Sequence, residues 1–181
     1  MSSPNRPDRS SLNSRRRALA LIGSALLAAP LLSACKPLYG TTQSGAQLKD
    51  VMAGIDISKI PGRTGQRLRN ELIFATTGGG HAGETRYRLD ISIRESVTKT
   101  LVQKTGDAEG ELYNLEAKYK LISVADRKVV LEGVGVGRAA FDRFDPTFAN
   151  VRARIDAENR AARTVAESIR TGVAGFLSSR A

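Results

Sequence analysis

Cys35 is the only cysteine among the 181 residues, and the sequence around it determines what its thiol can do. Arginines at 15–17 precede an uncharged apolar stretch of fifteen residues, Ala18–Leu32, and two small residues then lead into Cys35. A basic flank followed by an apolar segment shorter than the roughly 20 residues of a membrane-spanning helix is typical of a secretory signal peptide. Because a lone cysteine in an exported chain has no disulfide partner within it, this thiol needs another explanation, such as intermolecular pairing, a reactive role or acylation.

The segment Leu32-Ser33-Ala34-Cys35 resembles the lipobox of bacterial lipoproteins. The resemblance implies that residues 1–34 are a lipoprotein signal peptide and that Cys35 becomes an acylated first residue. Several acyl chains, at about 0.8 kcal/mol per buried methylene, would hold the chain permanently on a membrane. An ordinary exported protein with a spare thiol is the alternative. Arg15 and Arg16 also leave twin-arginine export open beside the general secretory route.

The remaining chemistry-bearing residues predict no catalytic centre. His81 is the single histidine and follows Gly78-Gly79-Gly80, without the cysteines, histidines or paired carboxylates of a metal site nearby. No Ser-His-Asp set can be completed around it. We therefore expect a protein that is not an enzyme, binds no metal and has no cofactor apart from the covalent lipid on Cys35.

Length and charge indicate one basic domain. Removal of residues 1–34 leaves 147 residues, with 23 lysines and arginines against 17 carboxylates and a net charge of +6. This excess favours anionic lipid head groups or acidic partners, although a merely solvated basic surface is equally consistent with it. The chain has no Trp, five Phe and four Tyr, so we expect no nucleic-acid partner.

The first part of the mature chain is predicted to be a tether followed by a strand and a helix. Residues 35–50 are polar and turn-prone, which is typical of a flexible lipidated spacer, and a single domain then covers 51–181. Alternating apolar residues predict a strand over 51–57. Leucines at helical spacing predict a helix over Arg63–Thr76, with Thr64 as its N-cap and Gly78 at its end.

Three strands are predicted to follow, because apolar and polar residues alternate in each of them. They cover Thr85–Val97, with an extension towards Thr105, then Leu112–Val124 and Lys128–Arg138. Polar turns at 106–110 and 125–127 connect them. The glycines at 133, 135 and 137 indicate either a bulge or the close approach of another backbone.

A long helix ends the chain, with Asp145 as N-cap and Pro146 at its first position. Apolar residues recur three or four apart along it and predict one continuous core-facing stripe. This stripe comprises Phe148, Val151, Ile155, Ala162, Val165, Ala166, Ile169, Val173 and Phe176.

The order strand, helix, three strands, helix predicts an α+β fold, a two-layer sandwich with two helices on one face of a four-stranded, mostly antiparallel sheet. The first strand either pairs at the sheet edge or joins through a parallel crossover. The other sheet face should be polar and open, serving as a solvated or a docking surface. Its predicted cations are Arg86, Arg88, Arg94, Lys118 and Lys120.

Two segments resemble LptE, the lipopolysaccharide-assembly lipoprotein family: 35–40 (CKPLYG) and 60–72 (IPGRTGQRLRNEL). Tyr87-Arg88-Leu89 and Phe148-Ala149 add to the resemblance, which runs through nearly all of the mature chain. It implies a sandwich of two helices on four strands that plugs a large outer-membrane β-barrel of the LptD type and helps it assemble. Together they would deliver lipopolysaccharide to the outer leaflet. A lysine directly after the acylated cysteine, as at Lys36, resembles the pattern in lipoproteins that are sorted to the outer membrane. The resemblance therefore implies that the chain is anchored on the periplasmic side of that membrane.

The family resemblance also implies that basic residues bind lipopolysaccharide, because cations suit its phosphates. Charge and placement on the second and fourth strands and their loops select the candidates. A stand-alone envelope lipoprotein that binds an anionic lipid or glycan on a basic sheet face is the alternative function. The candidate ligand-binding residues are Arg86, Arg88, Arg94, Lys99, Lys104, Arg127 and Lys128.

Overall fold

The fold is taken from a computed structural model, which describes residues 47–102, 108–143 and 147–180. Cys35, the signal peptide, most of the tether, Lys104 and the Asp145-Pro146 helix start lie outside these residues, so the expectations for them stay predictions. The elements are α1 (Leu48–Ala53), β1 (Ile55–Ile57), α2 (Gly62–Thr77), β2 (Tyr87–Val102), β3 (Ala108–Ser123), β4 (Val129–Asp142) and α3 (Thr147–Arg180).

The four strands form one sheet in the order β1-β2-β3-β4. β1 pairs in parallel with β2 at the sheet edge, and the other two pairings are antiparallel. α2 makes the parallel crossover from β1 to β2, and both long helices lie on one face, where α2 packs against α3 and β1 and α3 covers β3 and β4. The predicted α+β sandwich is therefore confirmed, with one additional short helix at its start.

The predicted strand over 51–57 is wrong in its first half. Leu48, Val51 and Met52 are spaced for one face of a helix, and all three are buried in α1. Gly54 ends that helix, and only Ile55–Ile57 is a strand. The error arises because a short apolar run that also alternates fits a strand as well as a helix.

α2 lies where the leucine spacing predicted it, but its N-cap is not Thr64. The residue before the first turn is Pro61, whose side chain makes no capping hydrogen bond. Thr64 is buried, at 3% exposure, and its hydroxyl donates to Glu95 across the interface with the sheet. At the other end Gly78 has the predicted terminating role, because it is left-handed (φ 63°) and its N–H donates to the Phe74 carbonyl at 2.9 Å.

The strands are longer than the predicted ones. β2 and β3 form a hairpin in which Gly110, predicted to be a turn residue, pairs with both Leu101 and Asp142. The tight turn after β3 is where it was predicted, and Arg127 takes a left-handed conformation there (φ 55°). A register shift between β3 and β4 leaves Ile122 opposite Val129.

One hydrophobic core fills the space between helices and sheet. Leu68 and Leu72 of α2 are fully buried, as are Leu115 and Leu121 of β3 and Ile169 of α3. Along β3 every second residue from 113 to 123 is buried, so the strand has the two-residue period that its sequence predicted.

The apolar stripe of α3 does not reach the core at its beginning. Phe148 is 76% exposed and Val151 is 51% exposed, whereas buried residues recur three or four positions apart from Ala157 to Leu177. Arg160 already lies beside Ala140, so the thirteen residues before it extend roughly 20 Å while β4 continues for only two residues, roughly 7 Å. The first turns of α3 therefore project past the end of β4. Among the described helices, none is both long enough and apolar enough to span a membrane.

The glycines of β4 allow α3 to approach closely. A Cβ atom on Gly137 would lie 2.3 Å from the Ala161 carbonyl oxygen, and one on Gly135 would lie 3.2 Å from Val165. A Cβ on Gly133 would lie 2.4 Å from the Tyr119 hydroxyl. Of the two roles open for these glycines, close approach of another backbone is therefore observed at Gly137, whereas side chains lie closest to Gly133 and Gly135.

Candidate functional site

Four of the predicted ligand-binding cations lie together at one end of the sheet. Arg86 directly precedes β2 and Arg88 is its second residue, and the Arg86 carbonyl accepts a hydrogen bond from the Val124 amide at 3.0 Å. That bond brings the start of β2 beside the turn that carries Arg127 and Lys128. All four cationic residues are exposed. We call Arg86, Arg88, Arg127 and Lys128 the basic end.

A shallow recess of about 340 Å³ with an apolar floor lies beside two residues of the basic end. Val124 and Val129, which are 47% and 46% exposed, line it together with Ile122. Arg88 and Arg127 stand at its margin. Cationic groups around an apolar floor suit an amphiphile with phosphate or carboxylate groups, because Arg binds such anions through two parallel hydrogen bonds.

Two carboxylates reduce the positive charge of this end. Asp90 pairs with Arg88 at 3.0 Å, and Asp126 accepts a hydrogen bond from Ser123 Oγ at 3.2 Å. The Ser58 hydroxyl, which donates to Asp90 at 2.5 Å, and then Arg88 lower the pKa of Asp90, against an opposing effect of burial. Asp90 is therefore ionised at neutral pH and neutralises part of the Arg88 charge.

Two other candidates lie further along β2, and Lys104 lies outside the described residues. Arg94 is six residues along β2 from Arg88, roughly 20 Å away, and lies opposite Glu116. Lys99 is roughly 36 Å along the same strand and lies opposite Glu111. The seven predicted cations therefore do not form one site, because an extended strand separates residues that are near in sequence.

The open sheet face is not the basic surface that the cations alone suggested. Arg94 and Lys118 share it with Glu116, and Lys120 pairs with Glu132 at 2.9 Å. Cross-strand neighbours of opposite charge give the face both signs.

Sequence reasoning missed an apolar strip on this open face. Val134 and Val136 of β4 are 55% and 47% exposed and alternate with glycines that face α3. The alternation itself was the available signal, since glycines on the helix side require the valines between them to point to the other side.

The residues that resemble the LptE helix join α2 to its surroundings. Arg69 Nε donates to the Ile57 carbonyl at 2.9 Å, and Arg63 forms an ion pair with Glu158 of α3. A Cβ on Gly65 would lie 2.9 Å from the Ile60 carbonyl oxygen, so a glycine is needed where the chain enters the helix. We call this set of contacts the α2 joint.

A cluster of buried polar side chains lies next to the α2 joint, where α2 packs on the sheet. Tyr113 is fully buried, and its hydroxyl donates to Glu95 at 2.5 Å, while Thr64 donates to the same carboxylate at 3.2 Å. Burial, and next the hydrogen bond to Glu95, raise the pKa of Tyr113 to about 12. The phenol is therefore neutral at physiological pH, and the cluster stabilises the interface instead of moving protons.

The described residues contain no cluster of three or more His, Cys, Asp or Glu side chains that could hold a metal ion. His81 lies in an exposed loop, as predicted. Chemically, the described surface offers charge, hydrogen bonding and apolar area, which are the means of binding.

No model of a protein family matches the sequence, and no curated protein matches it. Three solved structures of proteins classed as lipoproteins share the fold. The one from Caulobacter crescentus has 20% identity and a TM-score of 0.62, covering 74% of this chain and 97% of that one. A minor lipoprotein from Acinetobacter baumannii has 10% identity and a TM-score of 0.52, with coverage of 71% and 96%. Lipoprotein B from Nitrosomonas europaea has 11% identity and a TM-score of 0.53, with coverage of 67% and 82%.

These similarities define a class of fold, the α+β sandwich found in several bacterial lipoproteins. At such low identities they establish the architecture alone. The fold that the LptE resemblance implied is thus present, and the particular activity is a matter for proposal.

Proposed function

We propose that this chain is an LptE-like lipoprotein, anchored through Cys35 on the periplasmic side of the outer membrane. In this proposal it is not an enzyme; it plugs a large β-barrel of the LptD type and assists its assembly into a lipopolysaccharide translocon. The barrel, lipopolysaccharide and the membrane are its partners.

The α2 joint is the observation that carries the proposal. Within the LptE-like segment 60–72, Arg63, Gly65 and Arg69 form contacts that set α2 against β1 and α3. The resemblance therefore coincides with the way the sandwich is assembled. The shared fold of the three lipoproteins and the lipobox-like segment at Cys35 support the same reading.

Co-purification from detergent tests this proposal. A chain tagged at its C-terminus and expressed in its native host should retain one much larger, β-rich membrane protein through several detergents. An unrelated tagged lipoprotein serves as the control and should not retain it. A wild-type chain that is monomeric in every detergent would contradict the plug function, and an unmodified Cys35 in intact-mass analysis would contradict the anchor.

The basic end favours the second function, direct binding of an anionic lipid or glycan without a barrel. Purified protein should then bind lipopolysaccharide, and the affinity should fall steeply with salt, because exposed charges are screened. Replacing Arg88 and Arg127 together by serine should weaken binding. Replacing Lys118 and Lys120 by serine removes the same charge from the open face and is the matched control. Equal losses in both double variants would indicate non-specific attraction and contradict a site at the basic end.

A further inference from the structure

A second cavity lies on the opposite layer of the sandwich, between α1, the C-terminal end of α2 and α3. Its volume is about 200 Å³. It shares no lining residue with the basic end or with the α2 joint. Its lining residues are Leu48, Lys49, Met52, Ala75, Thr76, Gly78, Arg170, Thr171 and Ala174.

The wall of this cavity is apolar. Leu48, Met52 and Ala174 line it, and each is at most 5% exposed. Thr76 is similarly buried, and its hydroxyl donates to the carbonyls of Leu72 and Ile73 at 3.0 and 3.1 Å. Because that hydroxyl is satisfied within α2, Thr76 adds no free polar group to the wall.

Two cations stand where this cavity meets the solvent. Lys49 on α1 is exposed, and Arg170 on α3 is half-buried. Among the described residues that line the cavity, none is an aspartate or a glutamate. An apolar interior with a cationic mouth is complementary to a molecule that has a hydrocarbon chain and an anionic head.

We propose that this cavity binds the alkyl chain of a single-chain anionic amphiphile, whose head group lies at Lys49 and Arg170. An apolar cavity of about 150 Å³ is known to stay dry and to accept benzene, so about 200 Å³ accommodates the end of one alkyl chain. The several chains of a lipid A anchor do not fit. The site is independent of the proposed barrel function, because it needs neither a barrel nor the residues at the basic end.

Binding of short carboxylates followed by NMR tests the site directly. Hexanoate, octanoate and decanoate are titrated below their micelle concentrations into the purified protein. The methyl signals of Met52, Ala75 and Ala174 should shift and saturate, with affinity rising about fourfold per added methylene until the cavity is full. Decyl phosphate should bind at the same place, since the cations accept either head group, and its affinity relative to decanoate distinguishes a fatty acid from a phospholipid-derived ligand.

Filling the cavity separates binding from folding. Ala174→Leu should abolish the decanoate shifts while the protein remains folded with an equal or higher melting temperature. Ala149→Leu makes the same change on the same helix, roughly 37 Å away along its axis, and should leave decanoate binding unchanged. If Ala174→Leu unfolds the protein, Ala75→Leu fills the cavity from α2 instead.

Lys49→Glu tests the head-group contact at an exposed position. It should lower the affinity for decanoate by about fivefold and leave that for 1-decanol unchanged, because only the anion interacts with the charge. Equal effects on both ligands would overturn the assignment of the head group. Unshifted Met52 and Ala174 methyls at millimolar decanoate, or shifts confined to the exposed valines of β4, would overturn the site itself.

Discussion

The two faces of the sheet consist of the same strands but differ in how their residues are packed and exposed. On the helix side, Tyr113 is fully buried and Gly137 lies against the backbone of α3. On the open side, Val134 is half-exposed and Lys120 pairs with Glu132 in solvent. Closely packed main chain and satisfied buried polar groups hold the first face, whereas screened charges and unburied valines make up the second.

This difference shows where stability and recognition are separated. A change on the helix side must disturb atoms that are already in contact, and close-packed interiors tolerate little added volume. A change on the open side meets water, and such substitutions usually alter stability by less than about 0.5 kcal/mol. Substitutions on the open side and at the basic end should therefore change stability little.

The largest effect is expected for Gly137→Val. Its Cβ would lie 2.3 Å from the Ala161 carbonyl oxygen and 2.9 Å from Val165, so α3 must move away from β4. Overpacking of this kind typically costs 1–3 kcal/mol, and a clash with main chain belongs at the upper end, about 3 kcal/mol. Urea unfolding monitored by circular dichroism measures this loss.

Gly175→Ala is the matched control for a glycine on the solvent side of α3. No atom lies within 4 Å of the position of its Cβ, and alanine favours a helix over glycine by about 0.5–1 kcal/mol. The variant should therefore be more stable than the wild type. If Gly137→Val and Gly175→Ala had the same effect, the contrast between packed and open positions would not hold.

An intermediate effect is expected at high pH through Tyr113. Its pKa is raised from 10.0 to about 12 in the folded protein, so the unfolded chain loses the phenol proton first as the pH rises. The stability contribution is present in full below pH 10 and is lost between pH 10 and 12, with a limiting slope of about 1.4 kcal/mol per pH unit. Tyr119, whose pKa burial also raises, acts in the same direction.

Tyr113→Phe isolates this contribution. The urea midpoint of the variant should fall less steeply with pH than that of the wild type, while lysine deprotonation affects both proteins alike. The slope that remains includes that of Tyr119. Parallel curves for the two proteins between pH 8 and 11.5 would contradict a shifted phenol in the buried polar cluster.

The smallest changes in stability are expected for two carboxylates, Glu158 on the helix side of the molecule and Glu132 on the open face of the sheet. Glu158 is 8% exposed and pairs with Arg63 and Arg154, so Glu158→Gln should cost about 1–2 kcal/mol by weakening two charged hydrogen bonds. Glu132 is 59% exposed and pairs with Lys120, so Glu132→Gln should change stability by less than about 0.5 kcal/mol. Equilibrium unfolding at low and high salt compares them, and a larger loss for Glu132→Gln would reverse the comparison.

The sheet and the two long helices could be predicted from the sequence because their periods are regular. Along β2 and β3, buried residues such as Leu89 and Leu121 belong to apolar patterns with a period of two residues. Leu68 and Leu72 of α2 are four residues apart, as on one face of a helix. In both cases the sequence pattern agrees with the burial in the fold. The fold class follows from their order along the chain.

The errors arise where tertiary contacts decide between equal local choices. Val51 fits a strand pattern but packs in α1, and Thr64 suits an N-cap but bonds Glu95 thirty-one residues away. Phe148 continues the apolar stripe of α3 past the end of β4 and is 76% exposed. These differences depend on where other helices and strands begin and end. A short stretch of sequence does not contain that information.

The candidate site was less predictable than the fold. Sequence selected cations by type, but only pairing between β2 and the turn after β3 gathers Arg86, Arg88, Arg127 and Lys128. The cavity beside Met52 depends on a gap between three helices, and a gap has no sequence signature.

The contact at Gly137 limits which second mutations can restore stability after a substitution at this position. At Gly133 the nearest atom to an added Cβ belongs to the Tyr119 side chain, so a second substitution, Tyr119→Leu, could relieve the clash. At Gly137 the nearest atom is a main-chain carbonyl oxygen, which every residue at position 161 would carry. Suppressor mutations should therefore be recoverable for the first glycine, whereas exchanging the residue at 161 cannot rescue the second.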